Sequence, residues 1–136
     1  MTEELIKFET AVLAKEKGFD EQTRNAFDEN GEEIFCDPCS NSVRLVGLGN
    51  RQGHKWWNSK EIGKYARPSQ FLLQRWLREV HKIHIEILYG QKANSENEYW
   101  YYTTIQVDKK KKKTLVCNDD YEEALENALV QALNLI

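Results

Sequence analysis

The residues richest in potential chemistry are Cys36-Asp37-Pro38-Cys39, a CxxC, together with Cys117 and the three histidines His54, His81 and His84. Two thiolates at this spacing can supply half of a tetrahedral zinc site, and Cys117 with one histidine would complete a Cys3His set. As a redox pair the motif needs a helix N-terminus beneath the first thiol to lower its pKa. Pro38 and the turn-rich residues before it argue against such a helix. No second CxxC and no HxxxH accompanies it. Incidental reduced thiols are the favoured reading, so no metal ligand and no cofactor is assigned.

Acid–base and nucleophilic chemistry find less support. His81 and His84 bracket a helix-to-strand junction, and a histidine near a helix C-terminus is explained by the dipole alone. The chain has no GxSxG and no HExxH, and each Asp/Glu cluster is accounted for by a helix cap or a turn. Gly47, Gly49 and Gly53 lie in GLGNRQG, which lacks the GxGxxG spacing of a dinucleotide loop. No catalytic residue is assigned, and the chain reads as non-enzymatic.

Binding surfaces are better represented. Lys55, Trp56, Trp57, Lys60, Lys64, Tyr65 and Arg67 interleave cations with aromatic rings. Cations position a phosphate backbone while indole and phenol faces stack on unpaired bases, so this stretch is the candidate nucleic-acid site. Lys109–Lys113 would add a second phosphate clamp at a hairpin tip. Against it stands a sequence pI of about 5.7, far below the pI above 9 typical of nucleic-acid-binding domains.

A second surface is Tyr99-Trp100-Tyr101-Tyr102, which puts aromatics on both faces of one strand. One face must be core. The other, with Trp100 and Tyr102, stays exposed unless a helix or a partner covers it, and is the candidate protein interface.

The elements that position these residues follow from period and punctuation. Thr2 to Lys17 reads as a helix, with Thr2 as N-cap, Leu5, Phe8, Ala11 and Val12 as its stripe, and Gly18 and Phe19 as its stop. Asn30-Gly31 marks a hairpin between strands Ala26–Glu29 and Glu33–Phe35. Val43–Leu48 adds a possible strand, and residues 49–68 show no clean period. A second helix opens at Pro68 and runs to about His81, with Leu72, Leu73, Trp76, Leu77 and Val80 inward. Ile83, Ile85, Ile87 and Tyr89 then alternate as a half-buried strand, pairing through the loop Gly90–Asn97 with Glu98–Val107. Lys109–Lys113 form a connection to a short strand, Thr114–Cys117. A last helix, capped by Asp119 or Asp120, carries Tyr121, Ala124, Leu125, Ala128, Leu129, Ala132 and Leu133 on its apolar face.

Composition agrees with this outline. The 136 residues are 40% hydrophobic and 11% aromatic, enough for one core, and no apolar run is long enough to span a bilayer. The start lacks the basic and apolar regions of a signal peptide, which points to the cytoplasm. The net charge of −3 conceals segregation: residues 1–43 balance at −7, residues 44–92 at +7 and residues 93–136 at −3. Such blocks either neutralise one another in the fold or present a basic face to an anionic partner.

Three segments, MTEELIKFETAVLAKEKGF, RPSQFLLQRWLREVHKIHIEI and DDYEEALENALVQALNLI, occur in this order over 58 residues. Together they resemble a family of short uncharacterised proteins of Bacteroides-type gut bacteria and their phages and prophages. The resemblance implies a bacterial or phage cytoplasm and an accessory role. It carries no assigned activity and no catalytic residues.

The expectation is therefore a single α+β domain over 1–136. It has one antiparallel sheet of four to six strands with two hairpins and three amphipathic helices, in the order α-β-β-(β)-α-β-β-(β)-α. Its leading function is protein–protein binding or self-association by a non-enzymatic accessory protein, with no membrane partner. Nucleic-acid binding through residues 54–67 comes second and a zinc-stabilised domain third.

Overall fold

The computed structural model describes residues 4–35, 64–93, 95–108, 111–116 and 119–136. Cys36, Cys39, His54, Cys117, the glycines of residues 47–53 and the expected strand Val43–Leu48 lie outside them. The fold is α+β. Its described elements are α1 (Phe8–Glu16), β1 (Asn25–Asp28), β2 (Glu33–Phe35), β3 (Lys64–Ala66), α2 (Gln70–His81), β4 (Ile83–Gln91), β5 (Tyr99–Val107), β6 (Lys111–Val116) and α3 (Tyr121–Leu133). The strands form two antiparallel three-stranded sheets, β2-β1-β3 and β4-β5-β6, where one sheet was expected. The chain divides correspondingly into two compact units, Leu5–Pro68 and Met1–Glu4 with Ser69–Ile136.

In the first unit the expected opening helix is shortened. It starts at Phe8, with Lys7 in extended conformation at the N-cap and no side-chain cap, while Thr2 lies outside the described residues. Extended backbone replaces the first turns because it finds hydrogen bonds elsewhere: Ile6 N–H donates to Pro68 O at 3.2 Å, and Ile6 O accepts from Arg67 Nε at 2.8 Å. Tertiary pairing here overrides helix propensity, which is only tenths of a kcal/mol per residue. Ile6, Thr10, Ala11 and Ala14 are buried, so the inward stripe lies to one side of the expected Leu5, Phe8 and Val12. The stop forms as expected: Gly18 sits at φ +92°, Phe19 N–H donates to Ala14 O at 3.0 Å, and the Phe19 ring is buried.

The Asn30-Gly31 hairpin forms, but only Gly31 has positive φ. Gly31 N–H donates to Asp28 O at 3.1 Å and Asp28 N–H to Glu32 O at 2.9 Å, so the turn is a type I turn closed by a glycine bulge. The Asp28 carboxylate accepts from both Asn30 N–H and Glu32 N–H at 2.9 Å, which ties down the loop. β3 pairs on the far side of β1, Phe27 opposite Tyr65. It lies in the stretch that showed no period.

In the second unit α2 begins at Gln70, two residues later than Pro68 implied. Ser69 is the N-cap, its Oγ accepting from Leu72 N–H at 3.1 Å, and Pro68 precedes it. Leu73, Trp76 and Leu77 point inward, whereas Val80 is exposed. α3 is capped by Asp120, whose carboxylate accepts from Glu122 N–H at 3.0 Å. Ala124, Ala128 and Ala132 alternate with Leu125, Leu129 and Leu133 on its buried face, as expected. Both helices pack on the sheet, α2 on β4 and α3 on β4 and β5, and on each other. Ile83, Ile85, Thr103 and Ile105 are buried on one face of the sheet.

Candidate protein-interaction site

The surface of interest is the end of the second sheet that carries the aromatic residues. β4 and β5 pair over nine residues, with Leu88 opposite Tyr102, Tyr89 opposite Tyr101, Gly90 opposite Trp100 and Gln91 opposite Tyr99. Because side chains alternate across a sheet, Tyr89, Tyr99 and Tyr101 share the helix-covered face, and Leu88, Trp100 and Tyr102 the other.

On the first of these faces the helices stop short. The Tyr121 ring at the start of α3 meets Tyr101 edge-on at 5.5 Å. Beyond it Tyr89 stacks on Tyr99, 5.4 Å between centroids and 15° from parallel, and touches Tyr101 at 4.9 Å. Tyr89 is 63% exposed, Tyr99 45% and Tyr121 44%, and on the opposite face Leu88 is 50% exposed. The alternation that places Tyr89 inward holds through Ile85 and then runs past the helices.

On the second face Trp100 and Tyr102 are half-buried and in mutual edge contact at 5.7 Å. Lys92 Nζ lies 5.0 Å over the indole, and is also 3.6 Å from a Glu98 carboxylate oxygen. The Trp100 indole N–H is buried with no acceptor among the described residues. Tyr102 reaches across Gly90 and donates its hydroxyl to Gln91 O at 2.9 Å. The sequence named Trp100 and Tyr102; Tyr89 and Tyr121 were missed because their periods assign them to the core.

A cavity of about 250 Å³ lies between the N-terminal ends of α2 and α3, lined by Gln70, Phe71, Gln74 and Tyr121 among others. Behind it Gln70 Nε2 donates to Glu126 Oε1 and to Glu122 O, both at 2.9 Å, and Gln70 and Glu126 are each 4% exposed. No described histidine or cysteine lines it. The pair satisfies buried polar groups.

Of the basic aromatic stretch, Lys55, Trp56, Trp57 and Lys60 lie outside the described residues. Lys64 and Tyr65 form β3, and Arg67 follows it. The Tyr65 ring is covered by Phe8 at 5.6 Å and by Lys15 Nζ at 4.9 Å. The Arg67 guanidinium lies 4.5 Å over the Phe27 ring and donates to Ile6 O and, at 2.7 Å, to Glu33 Oε1. Both side chains are engaged within their own unit. Of the pentalysine run, expected as a connection, Lys111–Lys113 are strand, with Lys111 opposite Val107, while Lys109 and Lys110 lie outside the described residues; Asp108, after β5, has φ +46°. Lysine is a common choice on an edge strand because its charge deters further pairing.

His81 packs edge-on against Trp76 at 4.6 Å, and His84 is an exposed strand residue opposite Gln106. They lie on different elements. No group of three potential metal ligands occurs among the described residues. No described helix is long and apolar enough to cross a membrane. Comparison with protein-family models, with curated proteins and with solved structures finds no match.

Proposed function

We propose that this chain is a small non-enzymatic accessory protein, of phage or prophage type and acting in the bacterial cytoplasm, that works by binding another protein chain. The observation that supports this most directly is the aromatic end of the second sheet. Tyr89, Tyr99 and Tyr121 are all large and roughly half or more exposed, and they are contiguous through the stack and edge contacts of Tyr89, Tyr99, Tyr101 and Tyr121. Tyrosine is enriched at protein interfaces, where its ring buries area and its hydroxyl stays hydrogen-bonded.

The experiment is affinity capture from the native host with the wild-type chain and with Tyr89→Ser/Tyr99→Ser. The reading expects one stoichiometric polypeptide retained by the wild type and lost from a variant whose circular dichroism is unchanged. Equal retention by both chains would refute the assignment of this surface.

A further inference from the structure

The backbone hydrogen bonds of β4 show where its outer edge is open. Lys82 O accepts from Asp108 N–H, and Lys92 N–H donates to Glu98 O, at the two ends of the β4–β5 ladder. In an antiparallel ladder bonded and non-bonded pairs alternate. The even-numbered residues of β4 therefore bond to β5, and the odd-numbered ones, Ile83 to Gln91, direct their N–H and C=O groups to the free edge. No described strand lies beyond that edge.

Two of these outward carbonyls are already capped by side chains. Gln74 Nε2 donates to Ile85 O at 3.0 Å, and the Tyr102 hydroxyl donates to Gln91 O at 2.9 Å. Between the caps lie Ile87 and Tyr89, whose outward groups no described residue fills. The open window is symmetric about Leu88, with a cap three residues away on either side.

From this symmetry we propose that the β4 edge pairs with β4 of a second copy of this chain, antiparallel and two-fold about Leu88. Ile87 of one copy then lies opposite Tyr89 of the other, each such pair exchanging both of its hydrogen bonds, and the pairing ends where Ile85 and Gln91 are capped. The two Leu88 side chains meet directly at the axis on one face. On that same face Glu86 lies opposite a glycine, Gly90, and diagonal to Lys92 of the other copy. Long side chains of opposite charge can span that diagonal. Such an isologous contact satisfies everything it uses twice over.

The two edges of the sheet differ in the same sense. β6 carries the lysine run, whereas β4 has no lysine or proline in its nine residues and exposes Leu88 and Tyr89 on opposite faces. An edge that no described strand covers, flanked by apolar residues, is a template for strand addition. The proposal rests on the protein-binding reading and gives it a partner at the strand edge, next to the tyrosine surface.

Sedimentation equilibrium of the purified chain, from low micromolar to near-millimolar, tests it together with amide exchange. The mass should rise with concentration from 16.0 kDa toward twice that value, and the amides of Ile87 and Tyr89 should gain protection in parallel. Leu88→Lys, which opposes two charges at the axis, should weaken association by roughly tenfold or more. Ile87→Pro should do the same by removing an edge donor. Tyr99→Ser should dimerise as the wild type does. A wild type that stays monomeric throughout, or a dimer that leaves the Ile87 and Tyr89 amides unprotected, overturns the proposal. If Ile87→Pro fails to fold, Leu88→Lys and the wild-type exchange pattern still decide. Loss of self-association with host-partner capture intact would remove this proposal alone, since the protein-binding reading is tested by Tyr89→Ser/Tyr99→Ser.

Discussion

Gly90 and Tyr102 are fitted to one another: a Cβ on Gly90 would lie 3.1 Å from Cε2 of the Tyr102 ring. The missing side chain lets the ring cross the strand and cap Gln91 O. An aromatic laid over a strand glycine shields backbone that would otherwise be bare.

Gly90→Ala should therefore change sign with its neighbour. In the wild type it should lower the denaturation midpoint, because Tyr102 is held by its hydroxyl and by Trp100. With Tyr102→Ala it should raise the midpoint, since alanine loses less entropy than glycine on folding. A double-mutant cycle by urea unfolding should give a coupling of about 1 kcal/mol. Additive effects would contradict the fit.

Arg67 and Glu33 should contribute unequally. The arginine side chain is 18% exposed and Glu33 72%. Arg67→Lys loses the planar fork that serves Ile6 O, Glu33 and the Phe27 ring, and should cost about 1–2 kcal/mol. Glu33→Gln should cost under about 0.5 kcal/mol, as exposed pairs do. Chemical denaturation of the two variants checks the order.

Gln70→Leu removes the amide that serves buried Glu126 and should destabilise by about 1–3 kcal/mol. Adding Glu126→Leu should recover part of that loss, because an apolar pair leaves no buried carboxylate to satisfy. Failure of the double variant to recover stability, measured by thermal and urea unfolding, would place the strain elsewhere.

Lys55→Glu with Lys64→Glu should leave retention of single-stranded oligonucleotides unchanged across a salt series. Tyr65 and Arg67, the stretch's described stacking and bidentate groups, are occupied by Phe8, Lys15, Ile6 and Glu33. A steep, salt-dependent loss in the double variant would instead restore the nucleic-acid reading.

Elements whose stability comes from their own period were legible from the residues alone. α3 shows its alanine–leucine face, β4 its alternating isoleucines, and α1 its glycine stop. What escaped are segments stabilised by a neighbour. β3 is three residues with no period, held by pairing to β1, and the lysines of β6 become strand because β5 supplies the hydrogen bonds. Residues before Phe8 look helical but bond to the backbone near Pro68 instead. At the candidate site Trp100 and Tyr102 could be named from alternation. Tyr89 could not, since its period says inward and only the helix length leaves it bare.

The most direct test of the protein-binding account is a native mass spectrum of the chain purified from its own host. The account predicts added mass that is polypeptide, either a second copy or another protein, released from the complex by Leu88→Lys or by Tyr89→Ser/Tyr99→Ser respectively. A bare monomer at every concentration, or added mass belonging to an oligonucleotide or a zinc ion, would contradict it.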